Sequence, residues 1–297
     1  MCGIAGLFIK NKSLEPQLGA FLAQMTSTLC GRGPDSAGFA IYTTDDPDFT
    51  KLSVILLDGA DLDSLHEQMR REIAPAIQKT ARGNNAVFQV PDAQAEQAIE
   101  WIDAHPAELA LIGQGKRLEI YKDVGYPDDV AERFGIARMH GTHGIAHTRM
   151  ATESAVTPQG AHPFSTANDQ CLVHNGSISN YASLGRVLRK DNIKIRTGND
   201  SEVAAGYLSQ QMHQGKSLGE ALNSSLDTLD GFFTFVVGTE NGFGVLRDPI
   251  ACKPAIMAET DDYVAFASEY RTLTCLPGIE TARVWEPTPA HSYFWEH

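Results

Sequence analysis

Apolar positions along this chain change period in a way that marks out its elements. Residues 3–9 carry the run Ile4, Ala5, Leu7, Phe8, which reads as a buried strand. Leu18, Phe21, Leu22, Met25 and Leu29 recur at spacings of three and four and predict a helix over 18–29. A glycine-rich turn over 30–38 leads into a strand at 39–42. The pattern then alternates: strand 52–57, helix 62–80, strand 86–90, helix 93–104, strands 109–112 and 118–121, and helix 128–134. This alternation predicts a compact α/β insertion over 46–140 with its own small sheet. Gly113-Gln114-Gly115 within it reads as a hairpin turn. Beyond it come strands at 144–149 and 170–174, helices at 181–189, 202–212 and 218–229, and strands at 232–238, 244–247, 263–267, 283–286 and 292–295.

Composition narrows the class. An apolar content of 42% over 297 residues fills a sizeable core. No run of 18 apolar residues is present, so no transmembrane helix is expected, nor is a basic leader followed by an apolar segment. The net charge of −13 argues against nucleic acid, which is bound through Lys and Arg on phosphate. Cys2, Cys30, Cys171, Cys252 and Cys275 are odd in number and scattered, with no zinc, iron–sulfur or disulfide spacing. A reduced, cytoplasmic protein without a metal is expected.

Candidate chemistry begins at Met1-Cys2-Gly3. Removal of Met1 would leave Cys2 with both a thiol nucleophile and a free α-amine of pKa ~7.7–8.0 to serve as its base. Arg32-Gly33-Pro34-Asp35 reads as a turn braced by Arg32 and Asp35. The strand ending in Arg149 delivers that guanidinium and the Thr152 hydroxyl to a loop, a set suited to a carboxylate. His174-Asn175-Gly176 offers two neutral donors for an oxyanion, or an ordinary Asn-Gly turn. Asp200 is either a helix N-cap or a carboxylate for an ammonium group. His147, His162 and His174 lack metal-ligand spacing and read as structural or supporting groups.

Taken in order, these stretches resemble the class II glutamine amidotransferases, enzymes of the N-terminal-nucleophile hydrolase fold. The matched pieces are Met1-Cys2-Gly3-Ile4, the 32–38 turn, His147-Thr148-Arg149-Met150-Ala151-Thr152 and His174-Asn175-Gly176-Ser177-Ile178-Ser179-Asn180. Asp200-Ser201-Glu202, Arg247-Asp248-Pro249 through Lys253-Pro254, and Ser268-Glu269 follow. The resemblance implies an α+β fold, a four-layer αββα sandwich over 2–297 carrying the insertion. It implies Cys2 as nucleophile, Asn175 and Gly176 as oxyanion donors, and Arg149, Thr152 and Asp200 as binders of L-glutamine. Arg32, His162 and His174 would support them. Ser154, Ala251 and Ser201 depart from the family's usual Gly, Gly and Thr.

The long insertion looks more like the glutaminase part of glutamate synthase, and most like the glutaminase-like subunit of N-methylglutamate synthase. The chain closes soon after the last motif, which implies that ammonia passes to separate synthase subunits in a hetero-oligomer. Such partners would carry FMN and iron–sulfur clusters, with no cofactor in this chain. Two other readings are a catalytically silent subunit with an assembly or regulatory role, and an N-terminal-nucleophile hydrolase acting on other amides.

Overall fold

The computed structural model describes residues 2–151 and 155–297. In chain order the elements are β1 (Gly3–Ile9), α1 (Leu18–Thr28), β2 (Ser36–Tyr42), β3 (Phe49–Leu56), α2 (Leu62–Glu72), β4 (Gln78–Arg82), β5 (Asn85–Pro91), α3 (Ala95–Asp103), β6 (Leu109–Gly115), β7 (Leu118–Val124), α4 (Pro127–Phe134) and β8 (His143–Arg149). There follow β9 (Phe164–Ala167), β10 (Gln170–Ile178), α5 (Tyr181–Lys190), α6 (Asp200–His213), α7 (Leu218–Thr228), β11 (Gly231–Gly238), β12 (Gly242–Arg247), β13 (Ile256–Glu259), β14 (Tyr263–Ala267), β15 (Arg283–Trp285) and β16 (His291–Glu296).

Two sheets face each other. One runs β15-β13-β14-β1-β8-β2-β7 and the other β16-β12-β11-β10-β9. Period-two alternation divides each strand between two cores. In β1, Ile4 and Phe8 join Ile145, Val173, Val236 and Phe243 between the sheets. Ala5, Leu7 and Ile9 face the other way, into a layer with Leu22 and Met25 of α1 and Phe134 of α4. Beyond the second sheet, Leu172, Phe235 and Val237 pack on Ala204 and Leu208 of α6 and Leu222 of α7. The result is the four-layer αββα sandwich of an α+β protein. Covering on both faces explains why β1 reads as a continuous apolar run rather than an alternating one.

The insertion has its own sheet, β4-β5-β3-β6, whose core joins Leu52, Val54 and Phe88 to Leu65 and Met69 of α2 and Ile99 of α3. Sheet pairing moves the far bound drawn at 140. β7 pairs with β2, Phe39 opposite Tyr121, so 118–124 belongs to the main sandwich and the separate layer ends at Gly115. The helix expected over 62–80 stops at Glu72, because Pro75 disfavours helical backbone in the residue before it, and β4 follows. Gly113-Gln114-Gly115 forms the end of β6 rather than a hairpin. Among the described residues no helix is long and apolar enough to cross a membrane.

Candidate active site

β1 and β8 are antiparallel neighbours, with Gly3 opposite Thr148. The start of one and the end of the other therefore meet at one rim of the sheet. This puts Cys2 beside Arg149 and Met150, and the Met150 N–H lies 3.4 Å from Cys2 Sγ. The opposite sheet brings β10 to the same rim. Cys2, Arg32, Arg149, His162, His174, Asn175, Gly176 and Asp200 line one cavity of about 1090 Å³. Thr152 lies outside the described residues.

The 30–38 turn braces this rim. Arg32 Nε donates to Cys2 O at 3.1 Å, and its Nη1 pairs with Glu269 Oε1 at 2.6 Å. That guanidinium holds the Glu269 carboxyl below its ordinary range. Asp35 accepts from Ala151 N at 2.8 Å. Gly33 is required because a Cβ there would sit 2.4 Å from the Thr148 carbonyl carbon.

Asn175-Gly176 is not a turn. Both residues lie within β10, Asn175 opposite Thr234 and Gly176 opposite Phe233. Gly176 has φ +151°, and a Cβ on it would fall 2.0 Å from Phe232 O. The Asn175 amide can be oriented from its neighbours. Its nitrogen faces Cys2 O at 3.4 Å, and that carbonyl can only accept. Its oxygen therefore faces His147 Nε2 at 3.1 Å, which must carry the proton.

Asp200 is freed from capping because Asn199 is the N-cap of α6 and accepts from Ser201 N. One Asp200 oxygen accepts from Ile178 N at 3.0 Å and the other from the Ser201 hydroxyl at 3.2 Å. Ser201 Oγ in turn lies 2.9 Å from His162 Nε2 and 2.9 Å from His174 Nδ1. Its one proton goes to the carboxylate, so both rings donate to it. The other nitrogens, His162 Nδ1 and His174 Nε2, are buried without a partner among the described residues. Burial holds all three rings neutral: His147 is pushed down to about 3, His174 to about 4, and His162 well below its ordinary value. No group of three or more His, Cys, Asp or Glu among the described residues is placed to hold a metal ion.

Residues 147–275 match the family of the glutamine amidotransferase domain. The whole chain is 53% identical to the glutamine amidotransferase-like protein GlxB of Rhizobium meliloti (strain 1021), over 100% of this chain and 99% of that one. The chain belongs to the class II glutamine amidotransferases. The chain is also 33% identical to a putative glutamine amidotransferase of Methanothermobacter thermautotrophicus (strain ATCC 29096 / DSM 1053 / JCM 10044 / NBRC 100330 / Delta H), over 100% of both chains. Its fold is shared with the glutamine phosphoribosylpyrophosphate amidotransferase of B. subtilis, at TM-score 0.61 and 18% identity. It is likewise shared with the allosteric regulatory enzyme of purine biosynthesis, at TM-score 0.65 and 17% identity. Each likeness covers 99% of this chain and 47% of the solved chain, about half its length.

Arg149, Asn175, Gly176 and Asp200 line the cavity into which Cys2 faces. Three residues of the matched motifs take roles that the sequence did not assign. Ser268 Oγ accepts from Ile4 N at 2.9 Å and lies 3.5 Å from the Asn175 amide nitrogen, so it steadies both the start of β1 and the amide. Ser201 joins Asp200 to two histidines. Glu202 accepts from Arg196 N at 2.8 Å and Thr197 N at 2.6 Å, shaping the loop that enters α6. The adjacent Ser-Glu pairs at 201–202 and 268–269 were the available signal, but a hydroxyl's partner is not written in its neighbours.

Proposed function

We propose that this protein hydrolyses L-glutamine through a thioester on Cys2 and supplies the ammonia to a separate synthase subunit of the glutamate synthase or N-methylglutamate synthase type. The observation that carries the reading is the convergence of a thiol, a carboxamide donor, a guanidinium and a carboxylate on one cavity. A zwitterionic amino acid needs one cation and one anion at fixed separation, and Arg149 and Asp200 are those groups.

With Met1 removed, the Cys2 α-amine takes the thiol proton and the sulfur attacks the side-chain amide carbon of glutamine. Charge moves onto the amide oxygen, where Asn175 Nδ2 and the Gly176 N–H receive it. The bonds Asn175 Nδ2 makes without substrate are long, 3.4 Å to Cys2 O and 3.5 Å to Ser268, so this donor can turn to a stronger acceptor. The amine returns its proton to the leaving nitrogen, and ammonia departs as the carbon–nitrogen bond breaks. Water then adds to the thioester, sulfur leaves with a proton, and glutamate is released.

A glutamine-analogue electrophile tests this directly. It should label Cys2 and no other cysteine, and Cys2→Ala should abolish labelling and glutaminase activity. Labelling that survives Cys2→Ala sinks the reading. Intact mass of native protein should show Met1 absent. Copurification should recover a synthase-type partner bearing FMN or an iron–sulfur cluster. A complex with no glutaminase activity would leave an assembly role instead.

A further inference from the structure

Lys122, on β7, is among the largest fully buried side chains of the protein, 2% exposed, and it ends in an ionisable amine. Its Nζ donates to Ala161 O at 2.8 Å, Pro163 O at 3.0 Å and Gln159 O at 3.2 Å. It also stands 4.5 Å from the centroid of the Phe164 ring. Dehydrating an ammonium is costly unless its donors find acceptors, and here all three do. Burial drives its pKa down to about 7, with the nearby Glu202 carboxylate opposing.

The three carbonyls belong to one short segment, and that segment is a wall of the amino-acid cavity. Gln159, Gly160 and His162 line the cavity from it, and Arg149 Nη1 donates to Gly160 O at 3.1 Å. The ammonium holds the wall from behind. A second cavity of about 710 Å³ lies on that far side, lined by Lys122 and Glu202, with Gln159, Arg196 and Thr197 shared between the two. Glu202 grips the facing loop by its amides while Lys122 grips the 159–163 segment by its carbonyls.

Lys122 is itself gripped by the insertion. β7 is the edge of the seven-stranded sheet, so one side of its backbone needs partners from elsewhere. Asn85 of β5, fully buried, supplies both. Its Oδ1 accepts from Lys122 N at 3.0 Å and its Nδ2 donates to Lys122 O at 3.3 Å.

We propose that Lys122 is a positioning residue for the amino-acid pocket: its ammonium sets residues 159–163, and with them Arg149 and His162, and Asn85 ties that setting to the insertion. This rests on the glutamine reading given above.

The test compares two modifications of Cys2 in the full chain and in Lys122→Met and Lys122→Gln. The analogue 6-diazo-5-oxo-L-norleucine needs the amino-acid pocket; iodoacetamide needs only the thiol. In Lys122→Met the analogue concentration for half-maximal labelling rate should rise ten-fold or more, while the iodoacetamide rate stays within two-fold of wild type. Lys122→Gln keeps two donors and should fall between, and it carries the comparison if the Met variant does not fold. Analogue labelling within two-fold of wild type in a variant with unaltered melting overturns the proposal. So does equal slowing of both reagents. A wild-type protein that takes up iodoacetamide but not the analogue fails the glutamine reading itself, and this inference with it.

Discussion

His147 Nε2 donates to Asn175 Oδ1 at 3.1 Å, and this bond anchors the far end of the amide whose nitrogen faces Cys2 O. Without it the amide keeps only the long contacts of its nitrogen, 3.4 Å to Cys2 O and 3.5 Å to Ser268, and the donor is held less firmly where an oxyanion needs it. His147→Phe should lower kcat for glutamine hydrolysis roughly 10- to 100-fold, less than full removal of an oxyanion donor, with KM within about three-fold. Steady-state kinetics checks the split. A raised KM at unchanged kcat contradicts it.

Arg149 should act in binding. Arg149→Lys keeps the charge but loses the planar fork that meets a carboxylate with two bonds. KM for glutamine should rise roughly ten-fold or more, an effect of about 1.4 kcal/mol, with kcat falling less. Alkylation of Cys2 by iodoacetamide should be unchanged.

Gly176→Ala places a methyl 2.0 Å from the Phe232 carbonyl oxygen at a backbone φ of +151°. Backbone strain and overpacking act together, and the loss should be about 3 kcal/mol or more. A chemical-denaturation midpoint reads it directly. Stability within 0.5 kcal/mol of wild type, about the scatter of neutral surface changes, would contradict the geometry.

Ala251 stands where the family turn carries Gly, and it holds φ +53°. Its N–H donates to Asp248 Oδ1 at 3.2 Å and its carbonyl accepts from Arg247 Nη2 at 2.8 Å, so the turn keeps its shape against the side chain's preference. Ala251→Gly should stabilise by about 0.5–1 kcal/mol, relief of left-handed strain partly offset by added unfolded-state freedom. A lower denaturation midpoint would refute it.

Buried histidines set an acid limit. His143 and His147 are pushed down to about 3 and His174 to about 4, each chiefly by desolvation. In the unfolded chain each charges near pH ~6.5. Between these values the unfolded state binds more protons, so stability falls as pH drops from about 6.5 towards 4. Each ring contributes a slope of up to about 1.4 kcal/mol per pH unit. Denaturation midpoints at pH 7.5, 5.5 and 4.5 should show the fall; equal midpoints at 7.5 and 4.5 would mean the rings are not buried neutral.

Cys2, Arg149, Asn175, Gly176 and Asp200 were legible as motif residues because each is tied to a local element: the residue before β1, the end of β8, the strand β10 and the start of α6. Two local readings were displaced. The Asn-Gly pair proved to be strand rather than turn, since pairing with β11 overrides a dipeptide's preference. Asp200 proved not to be the cap, since Asn199 one residue earlier caps α6.

Hydrophobic periodicity by itself determined most of the strands and helices and the alternating stretch among them, whereas the αββα layering was implied by the resemblance; β4, β9 and β13 went unread. Tertiary structure alone decided that β7 joins the main sheet, that His147 meets the Asn175 amide oxygen, and that Lys122 is caged by the 159–163 carbonyls. The physical reason is range. Alternation records which face of a strand is buried, but any strand with that alternation can pair with it, so sheet membership needs the neighbours. A buried polar group records only a need for partners. His147 and Asn175 are on facing sheets, and Lys122 meets carbonyls 37, 39 and 41 residues away, so only the folded chain says which partners those are.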